Sequence, residues 1–417
     1  MKRVFRVFLF VLLPLVASCE EKARDDVSPS SEKTEYELAV EAIKRRAHQI
    51  AEVQWSSLSQ IPRNSGYFPA NTVVMGIPYS SVKELDKFVG HDVSFYTFLT
   101  AVQNPRSVLY TENVGDHPYH GVNCSTYYGT VCSMAVNYAL GLEAPYESGM
   151  YSELPFIEKV ENQDPSCVKV GDILWKKGHV VMVEDVTYCK DGSMESVSIL
   201  ESSGSFTRIK FYSQSSFLSR WKASSWVLYR YLDFDKIAKQ DEIPFLSSLS
   251  IDNYSVNYQS VVCPSRGDRA CYREGEDVVL NMLRQCDCDF IISRNGQEVC
   301  RVISPNEDIV LSSLQAGKYE VLTDGHSVSS FEVVQTDVRA NRNDLGSLVV
   351  DFASSNGLPE SVVFCTITGA RKHIHLITEE ERLIGQLLFD NIYEDTYLKV
   401  VFRGEYGRVT NSPIYLN

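Results

Sequence analysis

A short helical pattern follows an aromatic, glycine-containing turn at residues 127–141, which read YYGTVCSMAVNYALG. Thr130 is of a residue type that often caps the start of a helix, and Gly141 suits the left-handed residue that ends one. Cys132 is therefore predicted in the first helical turn, where unpaired backbone N–H groups and the positive end of the helix dipole stabilise a thiolate. The same N–H groups can hold an oxyanion. The pattern predicts a nucleophilic cysteine.

A base for this thiol is predicted further along the chain, where residues 170–183 read VGDILWKKGHVVMV. Gly178 provides a turn and His179 begins an apolar strand. A catalytic thiol needs such a base near neutral pH. Glu201, on the following strand, can accept the second ring N–H of His179 and fix its tautomer. We predict Cys132 as the nucleophile, His179 as base and acid, and Glu201 as the orienting group.

Cys124 is a rival nucleophile, because it also precedes a serine. Tyr127, Tyr128 and Gly129 follow it and interrupt any helical pattern. Cys132 is therefore the preferred assignment.

Residues 67–230 resemble the NlpC-type branch of the papain-like cysteine peptidases. The matching pieces are the GIPYSS segment at 76–81, the Cys132–Ser133 helix start, and the Gly-Asp pair at 171–172 that leads to Gly-His-Val at 178–180. The resemblance implies an α+β fold with a papain-like (NlpC-type) catalytic domain. It also implies cleavage of peptidoglycan stem peptides next to a D-Glu or a diamino acid. No phosphate loop, dinucleotide fingerprint or metal cluster is found in the sequence, so no cofactor or metal is predicted.

The same resemblance supplies candidate substrate contacts. Tyr79 corresponds to the tyrosine that opens a strand and shapes the site in that family, and Tyr128 and Ser133 flank the nucleophile. Val131 and Met134 stand where the family often has Asp and Gly. The carboxylate with which the family binds a free amine is therefore not carried over to this chain.

The N-terminus has the pattern of an export signal, with a basic start, an apolar run at residues 7–16 and small residues before Cys19. The run is too short to span a bilayer. The end of the run resembles a bacterial lipobox, which implies a signal peptide at 1–18, lipid on Cys19 and a polar tether at 19–33. The acidic tether resembles the export tag of Bacteroidota surface lipoproteins, so we expect anchoring to the outer membrane. An ordinary secretory peptide is the alternative.

The charge composition argues against one class of partner. The formal net charge is -14, and such a surface repels phosphate backbones, which argues against nucleic acid. Cys286 and Cys288 are too close together for the usual zinc spacing. The pairs His117/His120 and His373/His375 lack a nearby third ligand, so no metal site is predicted. Disulfide connectivity and oligomeric state cannot be read from the sequence.

The C-terminal half has a different pattern, with strand-like runs separated by glycine and asparagine turns and no helical period. It predicts all-β sandwich-like domains at 244–337 and 343–417, joined by a polar linker at 337–343, after a catalytic domain at 34–240. One fused β domain is the alternative. These domains are expected to carry no catalytic residue and to be separable from residues 34–235. Strands are predicted at 277–283, 289–294, 299–303, 309–311, 318–323, 330–334, 348–353, 361–367, 373–377, 384–389, 397–402 and 413–416.

Three functions remain open on the sequence alone. The first is a lipid-anchored cysteine hydrolase that cleaves an amide bond, with peptidoglycan-derived peptides as substrate. The second is a catalytically inactive, peptidase-like lipoprotein that binds cell wall or glycan. The third retains the thiol chemistry but acts on another peptide or transfers an acyl group.

Overall fold

The N-terminal module, residues 33–239, is a six-stranded antiparallel sheet covered by helices. The computed structural model describes residues 33–63, 66–80, 87–112, 126–239, 258–392 and 396–416. In the sheet the strand order is β5-β10-β6-β7-β8-β9. The elements of the module are α1 (Glu35–Glu52), β1 (Gln54–Ser56), β2 (Ile61–Pro62), β3 (Tyr67–Phe68), β4 (Val73–Met75), α2 (Phe95–Val102), α3 (Val108–Thr111), α4 (Cys132–Leu140), β5 (Ile157–Lys159), β6 (Ile173–Lys176), β7 (His179–Tyr188), β8 (Met194–Ser203), β9 (Phe206–Ser213), α5 (Gln214–Ser224), β10 (Val227–Tyr231) and α6 (Phe234–Lys239).

Helix α1 buries one apolar face at the start of the module. Its buried side chains include Ala39, Ile43, Ala47 and Ile50, which recur at helical spacing on one face. This face packs against α4 and α6. Helix α1 therefore supports the back of the helix that carries Cys132.

Helix α4 begins later than the sequence suggested. Thr130 is not its N-cap, because the backbone of Thr130 is already paired: its N–H donates to Pro78 O (2.9 Å) and its carbonyl accepts from Ser80 N (3.0 Å). Val131 is the N-cap and provides no side-chain hydrogen bond. The predicted end is confirmed, since Gly141 is left-handed with φ 66°.

The first β module, residues 258–334, is a sandwich of two sheets. A three-stranded sheet (β11-β13-β16) and a five-stranded sheet (β12-β18-β17-β14-β15) share one buried core that includes Leu280, Tyr319 and Phe331. Cys286 and Cys288 form a disulfide. The strands are β11 (Val262–Pro264), β12 (Ala270–Arg273), β13 (Val278–Met282), β14 (Phe290–Arg294), β15 (Gln297–Val302), β16 (Ile309–Leu311), β17 (Gly317–Thr323) and β18 (His326–Val334).

The second β module, residues 337–416, repeats this plan. Sheet β19-β20-β23 and the five-stranded sheet of β22-β21-β24-β25, with β26 also on β24, share a core that includes Val350, Phe364 and Phe402. The elements are β19 (Asp337–Arg342), β20 (Leu348–Ala353), β21 (Leu358–Thr366), β22 (Arg371–Leu376), α7 (Glu379–Ile384), β23 (Gln386–Phe389), β24 (Thr396–Arg403), β25 (Arg408–Thr410) and β26 (Ile414–Leu416).

Two local predictions in this module are wrong. Residues 337–343 were expected as a linker, but β19 pairs with β20 along its whole length, because Val338 and Ala340 alternate with polar residues and pack against the buried core. Residue 384 was expected to begin a strand, but it ends α7, which Thr378 and Glu381 start with a reciprocal capping box. The sandwich architecture is unaffected by either change.

The modules contact one another through buried polar groups. Asp268 accepts a hydrogen bond from Tyr96 Oη (2.9 Å), and Asn104 Nδ2 donates to Asn281 Oδ1 (2.8 Å). In the second β module, the backbone N–H of Arg408 donates to Asp92 O (2.9 Å). Residues Glu35–Asn417 form one compact unit. Within the described ranges, no helix is both long and apolar enough to span a membrane.

Candidate active site

Cys132 is placed by a tight approach of two chain segments. A Cβ atom on Gly129 would lie 2.5 Å from Ser80 Cβ and 2.7 Å from Pro78 O, so only glycine fits this position. The chain then passes directly into α4, whose first residue is Cys132. Cys132 therefore lies in the first turn of α4, as the sequence predicted, where backbone N–H groups have no intrahelical acceptor.

His179 and Glu201 come from neighbouring strands. His179 is the first residue of β7, and Glu201 lies near the end of β8. The ring atom Nε2 of His179 is 3.2 Å from Oε1 of Glu201, and the Cys132 side chain lies close enough to the imidazole to raise the pKa of His179. Since Nε2 faces Glu201, Nδ1 is the nitrogen left for the thiol. Cys132, His179 and Glu201, which were predicted as a catalytic unit, therefore lie side by side in that order.

The electrostatics of this series favour a charged imidazole. Burial alone would lower the pKa of His179, but the hydrogen bonds to Cys132 and Glu201 outweigh it and raise that pKa to about 9. Burial alone would raise the pKa of Glu201, but His179 and Lys210 donate to the carboxylate and lower that pKa to about 2. Glu201 is an anion at neutral pH, and it stabilises an imidazolium.

Two cations behind Glu201 were not predicted from the sequence. Lys210, on β9, donates from Nζ to Glu201 Oε2, and Nη2 of Arg220, on α5, is 3.9 Å from Oε1. Lys210 is opposite Ile199 in the β8–β9 register, two residues from Glu201. Charged residues are common on hairpin strands. Lys210 can be recognised as a partner of Glu201 only from the strand register, which the sequence alone does not determine.

The predicted substrate contacts occupy three different environments. Tyr79 is half-buried, and its backbone bridges to Thr130 in parallel, just before the nucleophile. Ser133 is buried, and its carbonyl accepts from Tyr151 Oη (3.1 Å). Tyr128 is 2% exposed and donates from Oη to Arg266 O (2.7 Å) in the first β module. Tyr79 has the most access to solvent of the three; the substrate contacts stay predictions.

Some predicted residues lie outside the described residues. These are the lipid-attachment residue Cys19, the rival nucleophile Cys124, and the histidines His117 and His120.

Comparisons with known proteins add little to this picture. No protein-family model matches the chain, and no curated protein matches it. Fibronectin(III)-like modules of Clostridium thermocellum CbhA align with 37% of this chain and 90% of their own, at 11% identity and TM-score 0.20. Domains 3 and 4 of rat CD4 align with 36% of this chain and 98% of their own, at 9% identity and TM-score 0.22. These alignments cover about a third of the chain.

Proposed function

We propose that the chain is a cysteine hydrolase that cleaves an amide bond. The observation that carries the proposal is the series Cys132–His179–Glu201, in which a helix-start thiol lies beside an imidazole that contacts a buried carboxylate. A papain-like (NlpC-type) arrangement is supported by the placement of this thiol on a helix that packs on an antiparallel sheet carrying the base. The sequence resemblance points the same way.

The arrangement gives a two-step reaction. The proton of Cys132 rests on His179 before the reaction, since the pKa of His179 is about 9, and the Sγ thiolate attacks the carbonyl carbon. The tetrahedral intermediate collapses to a thioester as the C–N bond breaks, and His179 returns the proton to the leaving amine. Water, with its proton taken by His179, then hydrolyses the thioester and frees Cys132.

Two features of the site would lower the barriers of these steps. The first N–H groups of α4 have no intrahelical acceptor, so they are available to hold the negative charge that develops on the carbonyl oxygen. Glu201 holds His179 in one orientation and offsets its positive charge during each transfer. Glu201 itself exchanges no proton, because its pKa of about 2 keeps it ionised.

The proposed substrate is a peptidoglycan stem peptide, cut at a D-Glu or diamino-acid linkage. This choice rests on the resemblance of residues 76–81, 132–133 and 171–180 to NlpC-type enzymes. The proposed location is the outer membrane, with the chain anchored through lipid on Cys19. This rests on the lipobox-like residues before Cys19.

The test is mass spectrometry of purified muropeptides incubated with the chain, with Cys132→Ala and with His179→Ala. We expect two new fragments whose masses add up to that of the parent plus one water, and none from either variant. If the unaltered chain leaves muropeptides intact but cleaves other peptides, the proposed substrate is wrong and the proposed thiol chemistry still holds. Failure to cleave any amide would overturn the proposal.

One observation favours the alternative of an inactive, peptidase-like binding protein. Only 8% of Cys132 is exposed, so a substrate carbonyl has little direct access to the thiol. Thiol labelling separates the two functions. A hydrolase requires Cys132 to react with iodoacetamide faster than free cysteine does, whereas a binding protein has no need of an activated thiol.

A further inference from the structure

A cleft of about 820 Å³ lies at the C-terminal end of α4. It is lined by residues from segments 141–146, 150–156, 231–239 and 372–376, and we call it the distal cleft. Cys132 is at the opposite end of α4, and nine residues of helix span about 13 Å. The distal cleft is therefore separate from the candidate active site, and nothing above assigns it a role.

One wall of the distal cleft is the edge of a β-sheet. Strand β22 ends the sheet order β22-β21-β24-β25 and pairs with β21 alone among the described strands. Five successive residues of β22, 372–376, line the cleft. Successive side chains of a strand point to opposite faces, so residues of both faces border one cavity only along the strand's edge. Half of the backbone N–H and C=O groups of such an edge are unpaired.

The opposite wall is apolar and aromatic. Tyr146 and Phe156 have ring centroids 5.7 Å apart, and Phe156 and Tyr231 have centroids 5.9 Å apart, so the three rings form a continuous surface. Leu142 and Ile237 extend this surface and are 9% and 3% exposed. A cleft with a free strand edge on one side and an apolar wall on the other fits a strand with alternating side chains.

The distal cleft carries a net negative charge when the residues that form ion pairs within the protein are left out of the count. Two of its lysines already pair, Lys236 with Asp233 (2.5 Å) and Lys239 with Glu35 (2.8 Å). Among the described residues, the lining carboxylates without an ion pair are Glu143, Glu153 and Asp235, and Lys372 is the lining cation without one.

The pKa of Tyr231, in the aromatic wall, is affected by these carboxylates. Burial, together with the carboxylates of Asp233, Asp235 and Glu143, raises the pKa of Tyr231, while Arg46 acts in the opposite sense from outside the cleft. A positively charged group is thus the complementary one at this rim.

We propose that the distal cleft binds an extended peptide that adds as a strand to the free edge of β22, with apolar side chains on the aromatic wall and a cationic side chain or amine at the Glu143 and Asp235 carboxylates. About five peptide residues match the length of edge that residues 372–376 present, at about 3.3 Å per residue. The proposal does not depend on Cys132 being catalytic.

The test uses the full chain carrying Cys132→Ala, so that binding is measured without turnover. The probe is a fluorescein-labelled octapeptide of alternating valine and lysine, followed by fluorescence anisotropy. We expect saturable binding that weakens about tenfold when Glu143→Lys and Asp235→Lys are combined, because each substitution replaces an attraction to the peptide's cationic side chains by a repulsion. Both side chains are exposed, so the fold tolerates the change. Glu195→Lys, an exposed carboxylate outside the cleft, is the matched control and should leave affinity unchanged.

Two further peptides make the proposal falsifiable. An analogue with alternate N-methylated amides cannot form the strand ladder and should bind at least about tenfold more weakly. An analogue with glutamate in place of lysine should also lose affinity. Equal binding of the N-methylated analogue overturns strand addition, and equal binding of the glutamate analogue overturns the charge assignment. Dimerisation in sedimentation that Glu143→Lys abolishes would make a second copy of this chain the occupant instead.

Discussion

Nε2 of His179 lies 3.2 Å from Oε1 of Glu201, and this contact joins the ends of two adjacent strands behind the thiol of Cys132. The side chain of Glu201 is 4% exposed, and that of His179 is 17% exposed. A carboxylate so well buried interacts strongly with its neighbours, because little water screens it. The contact therefore governs the protonation state of His179, and it leads to the first prediction.

Glu201→Gln should move the alkaline limit of hydrolysis to lower pH. The pKa of His179 is raised to about 9, so its proton is available to the leaving amine below that pH and is lost above it. Glutamine still accepts the ring N–H but carries no charge, so the limit should fall by about one pH unit. The measurement is kcat/KM against pH. An unshifted limit would mean that Glu201 does not act on the imidazolium.

Cys132 and Cys124 are distinguished by peptide mapping after alkylation. Iodoacetamide at pH 7 should label Cys132 first, because His179 is in contact with its thiol. Cys132→Ala should lower hydrolysis by at least about a thousandfold, and Cys124→Ala should leave most of it. The thiol-to-methyl change at the start of α4 removes little packing, so circular dichroism should be unchanged. The reverse pattern would transfer the nucleophile to Cys124.

The parts of this site that depend on residues close in sequence could be predicted, and those that depend on residues remote in sequence could not. Cys132 and His179 could be found because a helix start and a Gly-His turn are local signals, and Gly141 ends α4 as expected. Thr130 was misassigned as a cap because its partner, Pro78, is remote in sequence. Lys210 was missed for a related reason, since strand register decides which side chain reaches Glu201.

The β modules were anticipated in the same uneven way. Strand positions such as 309–311 and 348–353 follow from alternation and turns, and the structure has them with the same bounds. The edge position of β22 and the contacts of Asp268 depend on tertiary pairing, which one sequence does not reveal.

Lys210→Met should raise the acid limit of hydrolysis. Lys210 helps to hold the pKa of Glu201 down at about 2, so the carboxylate stays ionised until pH falls through that value. Without the ammonium group, that pKa rises toward its ordinary value of about 4.3. Activity at pH 4 should therefore drop about threefold relative to pH 8. Lys190→Met, an exposed lysine in a turn, is the control and should leave the ratio unchanged. A uniform loss at all pH values would indicate a purely structural role for Lys210.

Cys19→Ala should release the protein from membranes. If lipid on Cys19 is the anchor, its removal leaves an export signal without an attachment site, and the protein should move to the soluble periplasmic fraction. Fractionation followed by immunoblotting measures this, with Cys167→Ala, an exposed cysteine in the N-terminal module, as the control. Retention of Cys19→Ala in the membrane fraction would point to an uncleaved N-terminal helix or to a partner as the anchor.

Asp268→Ala should destabilise the whole unit and not the first β module alone. Its carboxylate accepts from Tyr96 Oη (2.9 Å) in the N-terminal module and from Ser329 Oγ (2.8 Å) in its own. Asp268 is 6% exposed, so these donors would be left unsatisfied, at a cost of about 2–3 kcal/mol in the free energy of unfolding. Urea unfolding followed by tryptophan fluorescence reports on the N-terminal module, because all four tryptophans lie within residues 55–226. Asp344→Ala, an exposed aspartate, is the control. A normal tryptophan transition for Asp268→Ala would show that the modules unfold independently, as the sequence had led us to expect.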